Sequence, residues 1–198
     1  APERDALSRE QALMGRLKAD LEGLTPIRDH ALSGDEARQL EGFQFLTAKP
    51  LIVALNVGED QMTEVTSLEE RLSSSFGRPR VKTAALCGKL EMELAQMEPE
   101  EELEFRESLG VGESGLERMV GVSYEALDHI TFYTGNRNEV HAWPIARDTS
   151  ALKAAGKVHS DFERGFIRAE VVAAGDLVAC GSMAEARRRG LLRREGKG

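Results

Sequence analysis

The sequence predicts an α/β unit that follows a helical arm and precedes a small α+β module. Three observations support this prediction. Leucines and a methionine recur at heptad spacing within residues 1–24. Two apolar runs, 51–55 and 81–87, flank one helical segment, as in a βαβ unit. From residue 128 onward, β-branched and aromatic residues cluster in short runs that are separated by turns.

The first 24 residues are predicted to form one amphipathic helix. Leu7, Met14 and Leu21 lie seven residues apart, and Leu17 and Leu24 lie beside that ladder. This spacing is typical of one strand of a coiled coil. The partner helix would come either from another chain or from sequence upstream. Because the chain starts with alanine inside helical sequence, we expect a piece of a longer protein whose exposed arm promotes self-association.

A second helix is predicted from the capping box that Ser33 forms with Glu36, and it should run to about Leu46. In this helix Leu40, Phe43 and Leu46 would share one apolar face. A turn that ends in a proline at position 50 then leads into the first strand.

Leu51 to Leu55 is a short, unbroken apolar run, which predicts a strand that is buried on both faces. Asn56 and Glu59 follow directly, with Gly58 between them. In an open α/β sheet, ligands bind at the carboxyl ends of the strands. An asparagine amide offers an acceptor and two donors, and a glutamate offers two acceptors. This set suits the edge of a purine.

A helix over residues 66–76, opened by a capping box at 66–70, connects this strand to the second one at 81–87. A strand, a helix and a strand with short links form a βαβ unit, which is right-handed by a strong rule. Residues 88–127 are predicted to be helical. The acidic run Glu98 to Glu104 fits a solvated helix face and a helix N-terminus that favours negative charge.

The last 70 residues are predicted to form a compact α+β module such as a β-grasp. The expected elements are strands at 130–134 and 140–145 joined by a turn at 135–138, a helix at 151–155 that ends at Gly156, a loop at 159–166, a strand at 167–173 and a helix at 182–190.

Three segments resemble a known family. The tetrad Asn56 to Glu59, which follows Thr-Ala-Lys-Pro and a strand, resembles the Asn-Lys-x-Asp base-recognition motif of P-loop GTPases. Its altered form Asn-x-x-Glu is similar to that of the YchF/Obg-like ATPase family. Cys87-Gly88-Lys89 lies where such proteins pack a Ser-Ala-Lys-like turn behind the base. Residues 155–171, AGKVHSDFERGFIRAEV, closely resemble the family's C-terminal TGS-type domain, and the resemblance covers essentially all 198 residues.

The resemblance implies a domain organisation and a function. Residues 1–48 would be half of a coiled-coil hairpin, 49–127 the C-terminal half of a P-loop-NTPase-like G domain, and 128–198 an incomplete TGS-like β-grasp domain. The intact protein would be a ribosome-associated ATPase that binds ATP, with GTP as the alternative nucleotide. The implied base-binding residues are Asn56, Val57, Glu59, Cys87, Gly88 and Lys89, with Val57 as an apolar surface for the base face.

The chain departs from the family because it contains no G-x-x-x-x-G-K-[ST] sequence. Such a loop holds the phosphates and places Mg²⁺. We therefore expect that this chain alone does not hydrolyse ATP. Mg²⁺ would bind only when the missing phosphate-binding half is present. The alternative is a non-catalytic module that binds RNA, the ribosome or a protein and uses the G-domain remnant as a scaffold.

Two groups of residues have both a functional and a structural interpretation. A cluster of five arginines, either ribosomal RNA contacts or a solvated helix face, comprises Arg187, Arg188, Arg189, Arg193 and Arg194. Phe132 and Trp143, with His141 nearby, form either a stacking surface for RNA bases or part of the core. The family's association with the ribosome favours a functional role for the arginines.

Other features exclude several classes of function. The net charge of −8 argues against nucleic-acid binding over the whole surface. The four histidines lack metal-ligand spacing, and both cysteines are expected to be reduced. The G-x-G-x-x-G at 110–115 follows an acidic helix rather than a strand, which argues against a dinucleotide-binding loop. The His, Ser and Asp at 159–161 are adjacent in one loop, so they cannot take the distinct positions that a catalytic triad requires. Without a signal peptide or a membrane-length apolar run, we expect a cytoplasmic chain without membrane contact.

Overall fold

The computed structural model describes residues 2–110, 112–135 and 139–197. The chain divides into two compact units, Ala1–Leu127 and Asp128–Gly198. The elements of the first unit are α1 (Pro2–Glu22), α2 (Gly34–Leu40), β1 (Leu51–Asn56), α3 (Val65–Phe76), β2 (Val81–Leu86), α4 (Gly88–Leu94), α5 (Pro99–Ser108) and α6 (Gly115–Ala126). Short 3-10 turns lie at Ile27–Asp29, Glu41–Phe43, Leu46–Ala48 and Glu59–Glu64.

The second unit is richer in strands. Its elements are β3 (His129–Gly135), β4 (Val140–Ala146), α7 (Ala151–Val158), α8 (Ser160–Arg164), β5 (Ala169–Val171), α9 (Ala174–Cys180), α10 (Met183–Arg188) and β6 (Arg193–Glu195). Strand β3 pairs antiparallel with β4, and β5 pairs antiparallel with β6. The predicted turn at 135–138 falls mostly outside the described residues.

Strands β1 and β2 form the predicted parallel pair. The register runs from Leu51 opposite Val81 to Asn56 opposite Leu86, so both strands end at the same edge. Helix α3 connects the two strands, which confirms the predicted βαβ unit. Because the strands are parallel and in register, the loops that follow Asn56 and Leu86 meet at one place.

The prediction that β1 is buried on both faces was wrong. Leu51 is 41% exposed, Ala54 and Asn56 are also exposed, and the other three residues of the strand are half-buried. An apolar run is fully buried only where neighbouring strands and helices cover both faces. Among the described residues β1 pairs with β2 alone, and this small sheet leaves part of the strand uncovered.

Two apolar clusters form the core of the first unit. One comprises Leu13, Leu17, Ile27 and Leu40, and it attaches α1 to the segment that follows it. The other comprises Val57, Cys87, Leu90 and Leu94, and it lies beneath the ends of β1 and β2. The second cluster therefore supports the loops in which the candidate binding residues were predicted.

The arm differs from the predicted heptad seam. The buried stripe of α1 is centred on Leu13 and Leu17, whereas Leu7 is 62% and Leu24 is 88% exposed. The second helix ends at Leu40 and continues as a 3-10 turn to Phe43, and Gln44, which adopts a left-handed conformation with φ of 52°, stops the helical run before position 46. This backbone geometry cannot continue a right-handed helix. Self-association through the exposed part of α1 stays a prediction.

The two predicted capping boxes had opposite outcomes. Ser33 caps α2 as predicted: its hydroxyl accepts from the Glu36 amide, and its own amide donates to the Glu36 carboxylate at 2.8 Å. The box expected at 66–70 was wrong, because α3 begins one residue earlier and its first turn follows directly on a 3-10 turn. Ser67 instead donates its hydroxyl to the carbonyl of Glu64.

Three predictions in the second unit need correction. Helix α7 passes through Gly156, where a Cβ atom would lie 2.5 Å from Glu163 Oε2, so the glycine permits close packing of α8. The expected loop at 159–166 contains α8, whose N-terminus is capped by His159 Nδ1. The strand expected at 167–173 is formed only by the three residues Ala169–Val171 that pair with β6, and the unpredicted α9 begins at Ala174.

Neither cysteine is in a disulfide: Cys87 is a free thiol in the core, and Cys180 is a half-buried free thiol. In the described ranges, none of the helices combines the length and the apolar character that crossing a membrane requires.

Candidate functional site

A hydrogen bond joins the two loops at the strand ends. Asn56 Oδ1 accepts from the backbone N–H of Gly88 at 2.9 Å. Because a backbone N–H only donates, this bond fixes the orientation of the amide and leaves Nδ2 to face elsewhere. Nδ2 has no hydrogen-bond partner in the described part of the chain. The asparagine therefore offers two free donor hydrogens beside the strand ends.

The backbone at position 88 can approach the Asn56 amide because glycine has no side chain. A Cβ atom at this position would lie 3.2 Å from Asn56 Oδ1. That separation is tighter than ordinary van der Waals contact, so a side chain here would push the amide away. The glycine permits the direct approach of the two loops.

An ion pair spans the same two loops at the surface. Lys89 Nζ donates to Glu59 Oε1 at 2.7 Å, and Glu93 Oε1 lies 3.8 Å away. The Lys89 side chain is 67% exposed and that of Glu59 is 50% exposed. The hydrogen bond and the charge of Glu59 raise the pKa of Lys89. The carboxylate predicted to read the base is thus paired within the protein.

Two of the predicted site residues point into the core. Val57 is 6% exposed and Cys87 is 2% exposed, and both pack in the second apolar cluster. The amide of Val57 donates to the carbonyl of Leu86 at 3.0 Å, which continues the strand pairing for one more bond. Val57 therefore supports the loop from beneath, and the apolar surface expected for the base face is not free. The thiol of Cys87 is buried in the same cluster and does not reach the surface.

A buried charge network lies behind α4. Arg106 is 6% exposed, and its two terminal nitrogens donate to the carboxylate of Glu91 at 3.0 and 2.8 Å. Its Nε donates to Glu102 at 2.8 Å. A Cβ atom on Gly115 would lie 2.7 Å from Glu91 Cγ, so the start of α6 packs directly against this pair. The network connects α4, α5 and α6.

Sequence reasoning missed this network. Glu102 and Arg106 are four residues apart on a helix, a spacing that favours an ion pair. The partner that buries the arginine, Glu91, is 15 residues away and lies on another helix. No local pattern indicates that pairing.

A groove of about 960 Å³ lies beside β2 and α3. An ion pair between Glu69 and Arg118 borders it, and Glu69 also accepts from the amide of Ala85 at 3.3 Å. The lining includes neither Asn56 nor Lys89. The groove reaches the end of β2 at Leu86 and Cys87, but it includes neither the bond from Gly88 to Asn56 nor the ion pair of Lys89 and Glu59.

The five arginines of the basic cluster at 187–194 are all paired with carboxylates. Arg187 and Arg194 contact Glu170, at 2.6 and 3.6 Å. Arg188 and Arg189 contact Glu185, and Arg193 lies 4.0 Å from Glu195. The arginines lower the pKa of Glu170, chiefly through Arg187, and that of Glu185, chiefly through Arg189. This pairing reduces the positive charge that the cluster presents.

The aromatic group on the β3–β4 pair is partly structural. Trp143 is half-buried, and its Nε1 donates to Thr134 Oγ1 at 2.8 Å. Its ring stacks near that of Phe132, with centroids 6.5 Å apart. His141 is 60% exposed and lies 6.2 Å from Trp143. The two larger rings thus pack on one another, and the histidine faces solvent.

Among the described residues, no group of three or more His, Cys, Asp or Glu side chains could hold a metal ion.

Comparison with known proteins places these features in a family. Residues 129–198 match the family YchF-GTPase_C, described as a protein of unknown function (DUF933). The chain is 36% identical over 190 residues to the ribosome-binding ATPase YchF of Bacillus subtilis, covering 95% of this chain and 52% of that protein. It is 33% identical over 185 residues to the Obg-like ATPase 1 of Caenorhabditis elegans, covering 92% of this chain and 47% of that protein.

A solved structure shares the fold. The YchF GTPase of Schizosaccharomyces pombe superposes with a TM-score of 0.81 at 27% identity, over 98% of this chain and 52% of that one. The chain spans about half the length of the relatives it matches. By sequence over nearly its whole length and by fold, this chain belongs to the YchF/Obg-like ATPase family, and it corresponds to the part that carries the YchF C-terminal domain.

Proposed function

We propose that this chain is the C-terminal part of a ribosome-associated, nucleotide-binding ATPase and that it carries the base-binding half of the nucleotide site. The observation that carries the proposal is the hydrogen bond from the Gly88 amide to Asn56 Oδ1, which brings the two predicted loops together. The names of the relatives, ribosome-binding ATPase YchF and YchF GTPase, support the nucleotide and the ribosome as partners.

The chemistry of the site favours adenine over guanine. Adenine presents its 6-amino donor beside the N7 acceptor. The free Nδ2 of Asn56 suits N7, and the remaining lone pair of its Oδ1 suits the amino group. Guanine would instead need the carboxylate of Glu59 for its edge donors, and that carboxylate is paired with Lys89. We therefore propose ATP as the preferred nucleotide and GTP as the weaker one.

The phosphate contacts would lie elsewhere in the intact protein. The 198 residues contain no G-x-x-x-x-G-K-[ST] loop, which elsewhere holds the phosphates and positions Mg²⁺. We propose that the chain binds the base weakly and does not hydrolyse ATP. Hydrolysis and Mg²⁺ binding would require a phosphate-binding half in the same protein.

The proposed domain organisation has three parts. Residues 1–48 form half of a coiled-coil arm, 49–127 part of a G domain, and 128–198 a TGS-like β-grasp domain. The division of the chain between Leu127 and Asp128 supports the last boundary, as does the family match that begins at 129. The parallel β1–β2 pair with its connecting helix supports the second part.

Replacing Asn56 tests the base site. In an amide NMR titration that follows Gly88, we expect Asn56→Ala to bind ATP about fivefold more weakly than the wild type, because one hydrogen bond is worth about 1 kcal/mol. Asn56→Asp is the matched variant, since it keeps the acceptor for Gly88 and removes the Nδ2 donor. If Nδ2 reads the base, both variants lose affinity. Equal ATP and GTP binding by the wild type and both variants would remove base recognition from this site.

The arginine cluster carries the second candidate function, a module that docks onto ribosomal RNA. Charge reversal of Arg187, Arg188 and Arg189 to glutamate should reduce co-sedimentation with ribosomes by about tenfold at moderate salt, because phosphate contacts depend on positive charge. The double variant Glu170→Gln with Glu185→Gln tests the same surface in the opposite direction. It removes the carboxylate partners of the three arginines and should strengthen co-sedimentation with ribosomes. If neither variant changes sedimentation, the cluster is a solvated surface.

A further inference from the structure

The ion pair between Lys89 and Glu59 is placed to affect which base the site accepts. It crosses between the loop after β1 and the start of α4, beside the bond from Gly88 to Asn56. Both side chains are at least half exposed. An exposed pair of this kind contributes little to stability, so its effect on a ligand is easier to separate from an effect on folding.

The pair occupies the group that guanine needs most. Guanine presents an N1–H and a 2-amino group as neighbouring donors, and a free carboxylate can accept both. Adenine has no hydrogen on N1 and no 2-amino group. Because Glu59 Oε1 already accepts from Lys89, guanine must break or share that bond, and adenine need not.

A second internal bond acts in the same direction. The oxygen O6 of guanine requires a donor, and the Gly88 amide at the strand end is such a donor. That amide already donates to Asn56 Oδ1. The Gly88 amide and one oxygen of the Glu59 carboxylate, two groups that complement guanine, therefore already have partners within the protein, and the free Nδ2 of Asn56 suits the N7 atom that both purines share.

We propose that Lys89 sets the base preference of this site by holding the Glu59 carboxylate away from guanine. This inference rests on the proposed function, since it concerns the same base site. A direct bond from the lysine to O6 of guanine would have the opposite effect, because Lys89 would then favour guanine. The two roles predict opposite responses to removal of the ammonium group.

Lys89→Met distinguishes the roles, since it removes the charge and retains most of the side-chain length. We expect the ratio of GTP to ATP affinity, measured by amide NMR titration of the whole chain, to rise about two- to fivefold, the range that the free energy of an exposed ion pair allows. Lys89→Arg keeps the positive charge and should leave the ratio close to that of the wild type. Lys89→Met combined with Glu59→Gln should abolish the gain, because the freed carboxylate is its source.

Inosine triphosphate provides a further control, because it lacks the 2-amino group and retains N1–H. The gain in Lys89→Met should be smaller for this nucleotide than for GTP. An unchanged ratio, or a shift towards ATP, would overturn the role of Lys89 and leave the base site standing. If the wild type binds neither ATP nor GTP, the proposed function fails, and the role of Lys89 fails with it.

Discussion

Replacing Arg106 by methionine is expected to destabilise the first unit by about 3–5 kcal/mol, because removing one member of a buried ion pair leaves the other charge buried without compensation. Arg106 is 6% exposed and donates two bonds to Glu91 and one to Glu102. The Glu91 side chain is itself only 19% exposed. Urea unfolding followed by far-ultraviolet circular dichroism measures the loss.

The pH dependence separates loss of the pair from loss of packing. The bond from Arg106 is the main cause that lowers the pKa of Glu91 in the folded state. A lowered folded pKa contributes stability above the unfolded pKa, and the contribution disappears as the pH falls through the folded value. The difference between wild type and Arg106→Met should therefore be greatest near neutral pH and shrink in acid. A difference that does not change with pH would indicate a packing effect alone.

Arg106→Lys is the conservative comparison. Lysine keeps the charge but lacks the planar guanidinium that donates two parallel bonds to one carboxylate. We expect the free energy of unfolding of the lysine variant to lie between those of the wild type and the methionine variant. A lysine variant as stable as the wild type would show that charge, rather than the paired geometry, stabilises α4 against α5.

Leu94→Ala is expected to lower the free energy of unfolding by about 2–5 kcal/mol. The Leu94 side chain has no exposed surface and packs in the cluster that contains Val57, Cys87 and Leu90. Truncation removes apolar contacts and leaves a cavity that the surrounding residues fill only in part. Because Val57 lies in the same cluster, the loop that follows β1 should also lose part of its support. Denaturant unfolding measures the change.

Leu116→Ala is the matched control, since Leu116 is 73% exposed on α6. The same chemical change there should alter stability by no more than about 0.5 kcal/mol. Equal losses at the two positions would contradict the assignment of Leu94 to the core of this unit.

Much of the architecture could be predicted because it depends on local patterns. The apolar runs at 51–55 and 81–87 and the intervening helix produced the parallel pair as expected. Ser33 and Glu36 formed their capping box, since both bonds involve residues three apart. The register of two parallel strands then requires their ends to coincide, so residues 56 and 88 could be assigned to one place.

Interactions between residues distant in sequence account for the differences. Val57 has an apolar side chain of the kind that could contact the face of a base. It is buried instead, because it packs against Leu90 and Leu94. Leu51 belongs to an apolar run, yet it is partly exposed because β1 has one neighbouring strand among the described residues. Burial depends on what covers a residue, and that is a property of the assembled fold.

The sequence was sufficient for the βαβ unit, the β3 and β4 strands and the family, because these follow from periodicity and short motifs. Only the tertiary structure shows that Lys89 forms an ion pair with Glu59 and that Arg106 is buried against Glu91. It likewise showed a carboxylate beside each arginine of the basic cluster. The physical reason is range: an ion pair depends on distance in space, and residues 15 or 30 positions apart become neighbours only when the chain packs.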